Sequence, residues 1–402
     1  VAIRGRTVGN LSINGFIINS ADATATGSKS SFGLLLNNGN NVHITNNTIN
    51  AGNAFAGTNG KNGRAGMYGD VGGFGTKGNC NNPDVPVPGG VGGEAREPAW
   101  APSDARFWGG AGGGAGGRGG EVKSNSGING KNGVTGGINT SFGDVAIAAV
   151  GGGGGASRNP GQPGSNGADG ANGAHGQPGN SAAQWGQFGA NGYTVSRATP
   201  LANELLMYGR PGHGGGGGGG GGGQYCTDIF DPCVMGNGNS GGGGGAGGGP
   251  GEIGGPATSG GGSFGVYLYS MNNTRLTDNI INAGSGGDGG QGGRGGDGGP
   301  GGAGATGGIW CSDAGIEEGD TTGKNEIGRG GTGGRGGNGG NGGHGGSGVG
   351  GPSIGIASNI AFTETNNLIT VSPPSNGGPA RPRAPASEVG LDGISATIHF
   401  FF

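Results

Sequence analysis

The sequence predicts an all-β, partly irregular fold with almost no α-helix: parallel β-helix rungs interleaved with long polyglycine-II arms packed as a bundle. Three observations carry that expectation. Glycine makes up 119 of 402 residues. Through long stretches it recurs at every third position, and one β-prone segment repeats without gaps over 22 residues. Hydrophobic residues amount to 30% and charged residues to 11%, with a net charge of −3. That is too little apolar material for a conventional large core and too little charge for a solvated coil. The basic footprint of a nucleic-acid binder is missing, and no apolar run approaches the roughly 18–20 residues of a membrane span. The 20 prolines are too few for collagen.

The rungs are justified by self-similarity. SFGLLLNNGNNVHITNNTINAG from Ser31 aligns with SFGVYLYSMNNTRLTDNIINAG from Ser263 at 12 of 22 positions. NLSINGFIINS from Asn10 and SIGIASNIAFTETNNLITVS from Ser353 are looser copies, and SFGDVAIAAV from Ser141 matches the first half. Rungs are therefore expected at about 1–51, 141–150, 263–283 and 353–371. Asn10, Asn41, Asn273 and Asn359 share one slot, expected to stack as an amide ladder. Ile13, Ile44, Leu276 and Phe362 share another, facing inward.

The arms, about 52–140, 151–262 and 284–352, follow from the period of three. Gly57 to Gly78 and Gly161 to Gly179 carry one glycine per triplet, and Gly286 to Ala303 and Gly330 to Ser347 carry two. Gly214 to Gly223 is glycine throughout. A three-residue extended helix has no internal hydrogen bonds, so its amides must find partners on neighbouring strands. Glycine density then reports how many faces are packed. Arms of 20–24 residues would reach about 60–75 Å at about 3.1 Å per residue. Leu201 to Met207 is the one helix-like stretch.

Cys80, Cys226, Cys233 and Cys311 fall beside outgoing arms or between them, where they could meet at the distal tip. An even number of cysteines in a weakly cored chain favours disulfides and an oxidising compartment. The chain begins at Val1, as a processed mature chain or an excerpt would, and a cleaved signal leaves no trace. Trp100, Trp108 and Trp310 also collect in tip loops. Asp313, Glu317, Glu318 and Asp320 there form the one calcium site left open; otherwise no cofactor is expected.

At the C-terminus, residues 372–387 read as a Pro-rich tether. Residues 388–402 follow as a strand with apolar Ile394, Ile398, Phe400, Phe401 and Phe402. This strand either packs back on its own chain or joins a neighbouring subunit. Catalytic patterns carry no weight: with this much glycine, GxSxG around Ser263 and many GxGxxG matches arise by chance, and no HExxH occurs. No enzyme is expected.

The GG-x arrays resemble the PGRS-type repeats of mycobacterial and similar bacterial surface proteins, and the polyglycine-II bundles of a springtail antifreeze protein and of phage tail-fibre adhesins. The NVHITNNTINA-type segments resemble right-handed parallel β-helix repeats. No counterpart of the mycobacterial family's helical N-terminal domain is present, so that family's biology does not transfer. The expectation is a secreted, cell-surface structural protein that self-assembles as a homopolymer fibre or sheath, without nucleic-acid partner or membrane span. The alternative is an adhesin holding disulfide-fixed tip loops, with a surface or glycan ligand there, on rigid glycine struts.

Overall fold

The computed structural model describes residues 1–25, 29–78, 87–96, 110–123, 126–127, 129–137, 148–157, 161–223, 236–309, 327–381 and 389–402. Its strands are β1 (Ile3–Asn14), β2 (Ile17–Asn19), β3 (Ser31–Thr45), β4 (Thr48–Asn50), β5 (Val122–Lys123), β6 (Ser126–Gly127) and β7 (Gln187–Gly189). There follow β8 (Gly192–Thr194), β9 (Ser263–Thr277), β10 (Ile280–Asn282), β11 (Ser353–Ser358), β12 (Thr363–Thr365), β13 (Leu368–Thr370) and β14 (Ser395–Phe400). Among the described residues the helical element is one 3-10 turn, Glu204–Leu206, capped by the Asn203 side chain. It lies within the expected Leu201–Met207 stretch.

The expected coil of a parallel β-helix is not formed. The strands fall into separate sheets: a six-stranded one ordered β1-β3-β9-β11-β14 with β12 beside β9, and a four-stranded one ordered β13-β10-β4-β2. Two antiparallel hairpins, β5–β6 and β7–β8, add two small sheets. The physical reason lies in the connections. β1 and β2 lead through a short connection to β3 and β4, but after β4 the chain leaves for the glycine strands, and the second partner of β3 arrives only at Ser263. Beyond this first step neighbouring strands are brought together by long excursions, and the chain does not wind continuously from layer to layer. The fragment from Ser141 adds no strand to the large sheets: residues 141–147 lie outside the described residues, and Ala149 and Val150 belong to a glycine strand.

Within the large sheets the pairing is parallel and in register with the repeat. Ser31 pairs with Ser263, Phe32 with Phe264 and Thr45 with Thr277. Polar turn residues stack in the left-handed region, where Asn is tolerated better than branched residues: Asn10, Asn41 and Asn273 at φ 52°, 54° and 46°, and Asn46, Asp278 and Asn366 near 55°. Leu34, Leu36, Val42, Ile44, Ile49, Leu276 and Ile281 are buried between the two sheets. Phe32 and Leu35 face the other way, and since both Gly33 and Leu34 look inward, the strand's alternation breaks between them. On that other face, with Phe264, Tyr267 and Ile354, Phe32 and Leu35 are covered by Phe188 and Tyr193 of the β7–β8 hairpin. The glycine of each Ser-Phe/Ile-Gly motif has a packing cause: a Cβ on Gly33 or Gly265 would strike the Ile49 or Ile281 side chain of the facing sheet.

Among the described residues, ten three-residue-period strands form most of the rest: g1 (54–78), g2 (87–94), g3 (110–121), g4 (129–137), g5 (148–157), g6 (161–182), g7 (207–223), g8 (236–262), g9 (284–309) and g10 (327–351). Their hydrogen bonds recur every third residue. Gly57, Gly60, Gly63 and onward to Gly75 donate to g9 carbonyls from Asp288 to Thr306 at 2.7–2.9 Å. At the centre, three consecutive residues reach six neighbours. The N–H groups of Gly215, Gly216 and Gly217 donate to Gly245 of g8, Ala168 of g6 and Val134 of g4. Their carbonyls accept from Gly114 of g3, Gly334 of g10 and Gly152 of g5. Gly243, Gly244 and Gly245 in g8 likewise bond g1, g3, g10, g9, g2 and g7. These contacts close two rings of six around g7 and g8, a hexagonal array in three layers: g4-g3-g2, g5-g7-g8-g1 and g6-g10-g9. Residues 374–378 and 389–393 pack beside g9 and g10, with Gly378 N–H on the Gly348 carbonyl at 2.8 Å. The start of the expected tether is therefore part of the bundle.

Candidate functional site

The expected repeat ladder forms in part. The Asn41 side-chain amide donates to Asn10 Oδ1 at 2.8 Å, and Asn273 donates to Asn41 Oδ1 at 3.2 Å. Asn359 is not its fourth member. Ser358 pairs with Leu268 and Thr363 with Arg275, so five residues cover what β9 covers in seven, and the corner is cut short. Asn359 Oδ1 instead accepts from the Ser270 N–H at 2.7 Å. Phe362 also leaves its expected slot, where Glu364 pairs with Leu276, and lies tilted against Phe400 with ring centroids 5.7 Å apart.

A second ladder, not singled out from the sequence, is more buried. Asn47 Nδ2 donates to the Ile13 carbonyl and to Asn279 Oδ1, and Asn279 Nδ2 donates to the Ile44 carbonyl and Asn367 Oδ1. Each amide thus saturates the backbone where the chain turns between the sheets, as burial of a polar group requires. Its signal was present in the alignment, since Asn47 and Asn279 are identical there, but identity does not tell which asparagine is buried.

The C-terminal strand packs at home. β14 pairs in parallel with β11, Ser353 opposite Ser395 and Ser358 opposite Phe400. Ile398 packs against the core between the sheets, while Ile394 and buried Phe401 join the aromatic face. Phe400 is half exposed and Phe402 fully exposed.

Among the described residues, both large sheets end in edges with no further strand, on the same two sides. At one end lie β1 and β2, with Ile3, Phe16 and Ile17 exposed, Ile17 by 75%. At the other lie β14 and β13, with Phe400, Phe402 and Leu368 exposed. Backbone donors and acceptors of a parallel ladder, flanked by apolar side chains, are thus presented at each end, with the open ends of the amide ladders at Asn10 and Asn19 on the β1/β2 side. The Asn19 row, Asn19–Asn50–Asn282, is joined by side-chain bonds of 2.7 Å at both steps.

Titratable groups in this region hold structure together. Burial pushes the Tyr193 hydroxyl up to about 12, and it accepts from the Gly186 N–H. Burial also raises Tyr267, which donates to the Gly189 carbonyl at 2.9 Å. Among the described residues no three or more of His, Cys, Asp and Glu gather as a metal site, and no helix is long and apolar enough to cross a membrane. The expected disulfide residues Cys80, Cys226, Cys233 and Cys311, the acidic group Asp313, Glu317, Glu318 and Asp320, and Trp100, Trp108 and Trp310 lie outside the described residues. No family model matches the chain, and no match was found among the curated proteins or the solved structures.

Proposed function

We propose that this protein is an extracellular structural subunit that assembles end to end, the β1/β2 edge of one copy meeting the β14/β13 edge of the next. The observation that carries the reading is the pair of open, parallel, apolar-flanked edges at opposite ends of the same two sheets. Parallel edges of one polarity match head to tail, a heterologous contact that propagates as a filament unless it closes into a ring. The glycine bundle would then clothe the axis of the fibre. The four cysteines and the glycine-rich, weakly charged composition support secretion into an oxidising compartment.

The six-stranded sheet is five strands deep along β1-β3-β9-β11-β14. At about 4.8 Å between strands, direct stacking sets an axial repeat of about 24 Å. Electron microscopy of the concentrated protein should show filaments with that repeat. They should be lost in Ile17→Lys and in Phe402→Lys, which charge one edge each and touch no buried side chain. Discrete particles of the unaltered protein across the accessible concentration range would overturn the reading. Deleting 394–402 would be a poorer test, because Ile398 and Phe401 belong to the subunit's own cores.

A further inference from the structure

We propose that the groove between the two legs of the β7–β8 hairpin binds an acidic saccharide. The legs pair at Gln187 and Thr194 and again at the Asn180–Thr199 bridge, and they part between these points. The opening has a volume of about 890 Å³ and is bounded on a third side by Val389 and Leu391. Trp185 lines it, held by its indole N–H on the Asp392 carbonyl at 3.0 Å. Gln184, Gln187, Thr194, Arg197 and Thr199 line it too, all exposed.

In much of the bundle, short polar residues in the variable triplet slots take the N–H that a missing neighbour strand would have taken. Asn166, Asp169, Asn172 and His175 of g6 accept from successive g10 triplets at Thr332, Arg335, Asn338 and Asn341. In the groove the side chains of Gln184, Gln187, Thr194, Arg197 and Thr199 make no hydrogen bond or ion pair with any described residue. They are polar groups not spent on the fold, converging on one cavity beside an aromatic ring.

That combination selects a chemistry. An indole offers a flat apolar surface for the C–H face of a pyranose, and amides and hydroxyls both donate and accept, as sugar hydroxyls do. Arg197 is the one cation of the lining and can take a carboxylate with two parallel hydrogen bonds. A phosphate-bearing ligand would call for a second cation or a cradle of N–H groups, and the lining supplies neither. The site is distinct from the end-to-end contact, since its lining residues belong to the hairpin legs and to 389–391 and to none of the edge strands β1, β2, β13 and β14.

The test is isothermal titration of the whole chain with tetragalacturonate and a hyaluronan tetrasaccharide, using cellotetraose as the neutral comparison. At least one acidic probe should bind, and Arg197→Gln should weaken that binding by about tenfold or more. Trp185→Ala should abolish it, while Lys131→Gln, on the remote face of the bundle, should leave it unchanged. Circular dichroism of each variant separates loss of the groove from loss of the fold. Three results would overturn the proposal: no binding of either acidic probe, equal binding of cellotetraose, or affinity unaffected by both groove substitutions.

Discussion

Gly217 and Gly112 are the same residue type in neighbouring strands and have opposite requirements. A Cβ on Gly217 would overlap the Ala115 carbonyl, whereas on Gly112 its nearest neighbour would be the Gly93 carbonyl oxygen at 3.6 Å, an ordinary contact. Gly217→Ala should therefore destabilise by about 2–3 kcal/mol through overpacking. Gly112→Ala should be neutral or stabilising by up to about 1 kcal/mol, by narrowing the unfolded ensemble. Thermal unfolding of the two variants reads the difference directly. His344 carries a pH dependence. Its Nδ1 accepts from the Gly295 N–H at 3.1 Å, and burial, with Arg381 and Arg294 nearby, holds the imidazole below its ordinary value. The folded state therefore binds this proton less readily than the unfolded chain. The stabilisation is complete above about pH 6.5 and is lost as pH falls through the lower folded value. His344→Asn keeps an acceptor without the titration, so the gap between variant and parent urea midpoints should change between about pH 7 and pH 5. At this scale the sequence is legible where the period is unbroken, as at Asn10, Asn41 and Asn273. It misleads at Asn359, where a corner two residues short moves the side chain out of its row.

Among elements, register was the most legible feature. The gapless alignment of Ser31 onto Ser263 is the hydrogen-bonded pairing of β3 on β9, because like residues stack best on like neighbours. The continuous coil was not to be had from the same repeats. Similar strands can be stacked by winding or by long returns, and the apolar pattern is identical in both cases. The β7–β8 hairpin went unread although Asn191-Gly192 is a strong turn signal. Its purpose is visible only once the outer face of the six-stranded sheet is seen to be aromatic. Phe188 stacks there on Phe401 with ring centroids 4.8 Å apart and meets Tyr193 edge-on. Phe188→Ala should cost about 3 kcal/mol and uncover that face. Denaturant unfolding measures the first effect, and a rise in binding of an apolar dye measures the second. An unchanged midpoint would mean that the hairpin covers nothing of consequence.

For the whole molecule, glycine density per triplet tracks the number of neighbours. g1 and g6, with one glycine in three, each touch three glycine strands, g9 and g10 gain the C-terminal segment as well, and g7, glycine throughout 214–223, touches six. The order of strands in the array could not be read, because any glycine strand can pair with any other. The large sheets anchor the near ends of g1, g8, g9 and g10 only, and the other strands take their places around these. A bundle joined by backbone hydrogen bonds buries peptide groups in place of hydrocarbon. Since exposing polar surface lowers the heat capacity, unfolding should give a change per residue clearly below the usual 12–15 cal/mol/K, about half or less. Scanning calorimetry checks this, and a value within the ordinary range would show that apolar burial dominates after all.

The placement of g7 and g8 at the middle of the array also sets a timetable. The glycine run of g7 is walled by strands that begin at residue 110 and end at residue 351, and g1 bonds only to strands made after it. Contacts so distant along the chain close slowly. During synthesis, then, g1 to g6 have only their chain neighbours to bond, and wait for the rest of their partners until g7 to g10 emerge. Waiting segments of this kind, poor in side chains that could stick to one another, can be threaded through a narrow channel unfolded and closed into a rigid body only on the far side.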